Sequence, residues 1–204
     1  MLNFVKRSLH PYSEYLKYVR YDTRMSTKAL TTVEQFGQMR FADTEDYELV
    51  EGELVPLASG TFRHNTNRDL MGHLLWSYFR QNPIGKVVGE NDCRVSENKV
   101  RRPDLSVFLN ERLRLIDPDT IPAPFAPDIV IEVLSRSEGV IETRGKVREY
   151  LGAGSAEVWL LDHANREVQV HTAGGIRVLQ GTDILETPLL PEFRVAVAEL
   201  GMDL

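Results

Sequence analysis

The chain has 204 residues, 42% of them hydrophobic and 26% charged, which provides material for a sizeable core and excludes a fibre, a repeat array or a disordered chain. Asp and Glu number 30 against 24 Lys and Arg, and the net charge of -6 argues against a generic basic binder of nucleic acid or anionic membrane. A single cysteine, Cys93, excludes an internal disulfide framework and a multi-cysteine zinc site, and fits a reducing, cytoplasmic setting.

Residues 1–24 hold five basic and two acidic residues and four tyrosines spaced three apart, Tyr12, Tyr15, Tyr18 and Tyr21. No apolar block with a small-residue cleavage site follows, so this stretch is expected to be an extension, not native or poorly ordered, with Met25 as the biological start. The segment 25–204 is expected to form one domain. Thr31 or Thr32 stands where it can cap a short helix. From Tyr47 to Val55 apolar and polar residues alternate around Glu51-Gly52, which predicts a tight β-hairpin with Gly52 in the turn.

Leu70, Leu74, Leu75, Tyr78 and Phe79 recur at helical spacing and predict a helix from about Arg63 to Gln81, stopped by Pro83 and Gly85. Strand signals follow at Lys86 to Val95 and Asp104 to Leu109. A proline-rich connection leads to Asp128-Ile129-Val130-Ile131-Glu132-Val133-Leu134, whose β-branched run marks a strand covered on both faces. A helix from about Gly139 to Leu151 and a hairpin of Glu157 to Leu161 with Glu167 to Thr172 complete the pattern. Strands and helices alternate in the manner of an α/β or α+β domain with a mixed central sheet. No apolar run approaches the roughly 20 residues of a membrane span, so no membrane partner is expected.

Glu132 stands out, because a carboxylate on a doubly covered strand costs several kcal/mol unless paired, protonated or bound to metal. Asp128 shares its face but lies about 13 Å away at ~3.3 Å per residue, too far to hold the same ion. A partner must come from a neighbouring strand, and Asp104, at the mouth of its own strand, is the candidate. Asp104 with Glu132 offers a hard-oxygen pair suited to Mg²⁺ or Mn²⁺. A structural ion pair of Glu132 with Lys or Arg is the competing reading.

Lys146 and Tyr150 share a helix face with Glu142. If that face meets Glu132, Lys146 can orient a water or stabilise charge on a phosphate. An exposed Glu142–Lys146 pair accounts for the same spacing. His64 and His73 lie nine residues apart and do not share a metal; His64 is either a helix-start residue or a site residue. Nucleophile-elbow, P-loop and dinucleotide motifs are absent from the sequence. Cys93 reads as a buried, inert thiol.

Several segments together resemble a known family. They are Leu30-Thr31-Thr32-Val33-Glu34-Gln35-Phe36, Tyr47-Glu48-Leu49-Val50-Glu51-Gly52-Glu53, His64, Arg102-Pro103-Asp104-Leu105-Ser106, the run from Pro127 to Ser135, then Lys146, Tyr150, Gly154 and Glu157-Val158-Trp159-Leu160-Leu161-Asp162. In order and spacing they resemble the Uma-two family of restriction-endonuclease-type proteins, with the PD-(D/E)XK nuclease-like fold, from about Met25 to the C-terminus. The resemblance implies that Pro103-Asp104 is the PD element and Glu132 the acidic member of the second element. Both are then metal ligands. It also implies an accessory acid from the early hairpin, Glu48 or Glu53. Two departures stand out: Leu134 occupies the usual lysine position, and Val158 and Ala156 replace a tyrosine and a proline near Trp159. Lys146 matches a lysine typical of the family.

The expected activity is Mg²⁺-dependent (or Mn²⁺-dependent) endonucleolytic hydrolysis of DNA, with Asp104, Glu132 and the backbone carbonyl of Val133 holding the ion and Lys146 acting on water or phosphate. His64 and Tyr150 are accessory candidates, and a homodimer is the expected assembly. The alternative is a nuclease-fold binding module without catalysis, favoured by Leu134. The acidic excess is concentrated in 41–57 and 183–204, while Lys99, Arg101, Arg102, Arg112 and Arg114 flank Asp104 and suggest a local approach for phosphates.

Overall fold

A computed structural model describes residues 30–41, 45–135 and 139–202, so the expectations for residues 1–24 and Met25 lie outside the described residues. Helix α1 (Val33–Gln38) begins with a capping box: the Thr32 hydroxyl accepts from the Gln35 amide, and the Gln35 side chain accepts from the Thr32 amide at 2.9 Å. Strands β1 (Tyr47–Val50) and β2 (Glu53–Pro56) form the expected hairpin. Its two turn residues, Glu51 and Gly52, have φ of 50° and 79°, the left-handed backbone that a two-residue turn requires.

The 20-residue helix α2 (Phe62–Gln81) starts on a Thr61 cap and gives Met71, Leu75 and Phe79 to the core. The single strand expected over Lys86 to Val95 is instead two, β3 (Gly85–Gly89) and β4 (Cys93–Ser96), which end in different sheets. Glu90, with φ of 49°, marks the break between them. Strand β5 (Lys99–Arg101), too short and too basic to be expected from the residue pattern, joins β4 to the hairpin in a four-stranded sheet ordered β2-β1-β5-β4.

Strand β6 (Leu105–Leu109) leads through the short helix α3 (Asn110–Leu113) to β7 (Ile129–Val133), helix α4 (Val140–Gly152), β8 (Glu157–Asp162), β9 (Glu167–Thr172) and β10 (Gly175–Gln180). With β3 they form a six-stranded sheet ordered β10-β9-β8-β7-β6-β3, in which the β7–β8 pair is parallel and the other pairs are antiparallel. A parallel pair needs a crossover, and α4 supplies it. The chain closes through a small ladder, β11 (Ile184–Leu185) with β12 (Val195–Ala196), and a 3₁₀ turn.

All five residues of β7 are buried because both its faces are covered. Ile129, Ile131 and Val133 pack with Met71, Leu75 and Phe79 of α2, whereas Val130 packs with Val147 and Tyr150 of α4. Glu132 shares the Val130 face by the two-residue period of a strand, so it points at α4. The architecture is the expected α+β one: a mixed central sheet flanked by helices. Among the described residues no helix is long and apolar enough to cross a membrane.

Candidate active site

Strands β6 and β7 are antiparallel neighbours with Leu105 opposite Ile131. One step further along the same register sets Asp104 opposite Glu132, where facing Cβ atoms lie about 5 Å apart. The Asp104 carboxylate fastens this end of the ladder, its Oδ2 accepting from the Val133 amide at 2.7 Å. The same oxygen lies 3.2 Å from His64 Nε2, from the first turn of α2. That hydrogen bond to Asp104 raises the pKa of His64 above its ordinary value, against the opposing effect of partial burial.

Glu132 is 9% exposed, and its Oε1 accepts from the Tyr150 hydroxyl at 2.8 Å. Burial pushes its carboxyl up to about 8. The positive charge of Lys146 works against this, the charge of Asp104 adds to it, the Tyr150 hydrogen bond lowers it and the charge of Glu48 raises it further. Lys146 and Tyr150 both come from α4, one turn apart, so α4 presents that face to β7 as the spacing suggested. Tyr150 is fully buried, and its hydroxyl pKa is raised well above 10, first by burial and then by the charges of Glu132 and Glu48.

Glu48 and Glu53 separate clearly. Glu53 lies exposed on β2. Glu48 is 2% exposed and takes hydrogen bonds from the Arg101 side chain at 2.6 Å and the Arg102 amide at 3.0 Å. Arg101 in turn donates to Glu149 at 2.8 Å, and Lys99 donates to the other Glu149 oxygen at 2.6 Å and approaches Glu51 at 3.0 Å. Burial opposes ionisation of Glu149, but hydrogen bonds from Arg101 and Lys99 hold its carboxyl below the usual range. These contacts bind the four-stranded sheet to α4 beside the site. Nothing local in the sequence signals them, since Arg101 and Glu149 are 48 residues apart.

Four of the five basic residues flanking Asp104 do not form the open phosphate approach their clustering suggested, while Arg114 is exposed. Lys99 and Arg101 are buried in the network just described, Arg102 pairs with Asp92 and Asp46, and Arg112 pairs with Asp128. Their charge is offset by acids that face them from elsewhere in the chain: Lys99 and Arg101 from β5, Arg102 from the residue after it and Arg112 from α3. Leu134 packs into the apolar cluster under α4, so the position two residues beyond Glu132 presents no cation. Cys93 is fully buried and burial pushes its thiol up to about 11, the inert state expected of it.

The site thus consists of facing carboxylates on two central antiparallel strands, with a tyrosine and a lysine delivered by a crossover helix and a histidine by α2. Among the described residues no three His, Cys, Asp or Glu side chains are placed to hold one metal ion together. A two-carboxylate set completed by a backbone carbonyl and waters is nevertheless what a hard cation such as Mg²⁺ takes.

The α+β fold is shared with a solved protein: a crystal structure of a putative nuclease of the DUF820 group from Anabaena variabilis superposes with a TM-score of 0.72, at 20% identity, over 83% of this chain and 96% of that one. The model of the Uma2 family, putative restriction endonucleases, matches residues 33–198, and the chain belongs to that family. The resemblance carried by the sequence segments and the fold class it implied are both borne out. No curated protein matches the chain.

Proposed function

We propose that the protein is a divalent-metal-dependent endonuclease hydrolysing DNA phosphodiester bonds, its domain running from about residue 25. One observation carries this reading: Asp104 and Glu132 face each other across β6 and β7, with Glu132 so buried that its carboxyl holds a proton up to about pH 8 unless a cation displaces it.

Asp104 and Glu132 would hold Mg²⁺ or Mn²⁺ with the carbonyl of Val133. In an extended strand the N–H and C=O of one residue point to the same side, and the Val133 amide points at Asp104. Bound there, the ion would acidify a water and neutralise charge on the phosphate. Tyr150, by donating to Glu132, fixes the carboxylate orientation and favours its ionised form. Lys146 stands in for the lysine missing at Leu134: its charge already favours ionised Glu132, and a half-buried ammonium there can orient water or bind the scissile phosphate. His64 holds Asp104 from the opposite side and can keep a proton at Nε2.

The test is incubation of purified protein with single-stranded, duplex and supercoiled DNA in Mg²⁺ or Mn²⁺, beside the Asp104→Ala and Glu132→Ala variants. Nicking or linearisation by the wild type and loss in both variants is expected; cleavage at the wild-type rate by the double variant overturns the reading. A second reading, a non-cleaving binding module, is favoured by Leu134, whose apolar packing removes the lysine from its usual place. Calorimetric titration with Mn²⁺ separates the two, since a wild type without a Glu132-dependent heat of binding belongs to the second.

A further inference from the structure

Outside the proposed site, one stripe of α2 gathers features that the core does not use. The helix carries three arginines against one aspartate, with His73, in a chain whose net charge is -6, and of the three Arg68 is paired with Asp69 and Glu90. Trp76 on this helix is 53% exposed, while the other tryptophan, Trp159, is fully buried. A large indole left open with Arg80 and Lys86 on one side of it is unusual for a surface without a partner. Arg80, one turn on, places its guanidinium carbon 5.0 Å from the centroid of the Trp76 ring.

Two recesses meet at this ring. One, of about 470 Å³, is lined by Arg80 and Lys86; the other, of about 410 Å³, runs past His73 to Leu105 over Arg68, which is paired with Asp69 and Glu90. The second ends beside the site, because the Glu90 amide donates to the Asp104 carbonyl at 3.2 Å. Between His64 and Trp76 lie twelve helical steps, about 18 Å at ~1.5 Å each. A stacked strand at ~3.4 Å per nucleotide covers that distance in about five nucleotides.

We infer that Trp76 is a stacking platform for unpaired bases of a DNA strand lying along α2, with Arg80 and Lys86 on its phosphates. An indole face accepts any base but only an unpaired one can lie on it, and the neighbouring cations complement a phosphate backbone. The inference rests on the nuclease reading for its substrate class, and it adds that the strand is unpaired, or opened, about five nucleotides from the Asp104–Glu132 pair.

The two tryptophans make the test direct, since Trp159 is buried and solvent-side quenching reports Trp76. Fluorescence of the full chain is titrated with oligo(dT) and with a duplex of equal length, in EDTA at low salt so that no cleavage occurs. Quenching by oligo(dT) and little by the duplex is expected. Trp76→Ala should lose the quenching and weaken oligo(dT) binding, followed by anisotropy of a labelled strand, by about 5- to 150-fold. Trp76→Phe should retain affinity within a few-fold. Equal quenching by duplex, unchanged affinity of Trp76→Ala, or a change in sedimentation of that variant with DNA binding intact would each overturn the inference, the last marking a face between two copies. Asp104→Ala should still show quenching. Cleavage without quenching therefore sinks this inference alone, and quenching without cleavage sinks the nuclease reading alone.

Discussion

The two ends of the β6–β7 pair are built alike and used differently. At one end Asp104 Oδ2 accepts the Val133 amide at 2.7 Å; at the other Asp128 Oδ2 accepts the Leu109 amide at 2.7 Å. In the shared register each aspartate stands one step outside the ladder and fastens the opposite strand. The difference lies in what neutralises them. Asp128 meets the permanent cation of Arg112 at 3.1 Å, which also donates to the carbonyls of Ala126 and Gly154. Asp104 meets a histidine, and across from it stands a buried glutamate rather than an apolar residue. A fixed counter-ion makes a structural clasp; a titratable partner and a second acid leave room for an exchangeable cation.

The largest expected effect separates the two ends by activity. Asp104→Ala or Glu132→Ala should lower DNA cleavage by the folded protein by about 10³-fold or more, with circular dichroism close to wild type. Asp128→Asn should leave cleavage by the folded fraction unchanged. Equal loss of activity at both ends would erase the distinction.

Next in size is an effect of Tyr150→Phe, which removes the hydroxyl donated to Glu132 without changing the packing. It should weaken Mn²⁺ binding, read by calorimetry, by about 10- to 100-fold.

The clasp end should show its cost in stability. Arg112→Ala leaves Asp128 without its permanent counter-ion and should lower unfolding free energy by about 1–3 kcal/mol in urea melts.

Protonation sharpens the comparison further. Glu132 has a folded pKa raised to about 8 from 4.5, so between these values the native state holds a proton that the unfolded chain has released. Metal-free stability should therefore fall as pH rises from about 5 to 8, and Glu132→Gln should flatten that slope. Mn²⁺ affinity should rise over the same range, with release of the proton. His64, whose pKa is raised, contributes stability that is fully present below its unfolded value and lost as pH rises through its folded one, a smaller change in the same direction.

Much of this was legible in the residue pattern. The β-branched run around Glu132 announces a doubly covered strand, and a buried acid there demands a partner from a strand next door, which Asp104 supplies. The helix face of Lys146 and Tyr150 was readable from a spacing of four. What the pattern hid depends on contacts between distant segments. Strand β5 is three residues long and entirely buried, yet Lys99 and Arg101 within it look like exposed basic residues until Glu48 and Glu149 arrive from β1 and α4. The break between β3 and β4 was hidden because Val87, Val88 and Val95 all favour strands whichever sheet receives them.

The row Glu51, Lys99, Glu149, Arg101 and Glu48 alternates in sign along its whole length. Ions in solution compete poorly with such a sequence where its members are enclosed, whereas they readily weaken long-range attraction between a protein surface and a polyanion. Ionic strength should then act on arrival of the nucleic acid and leave the assembled chemistry of the bound complex almost untouched. A salt series should raise KM steeply while kcat stays level.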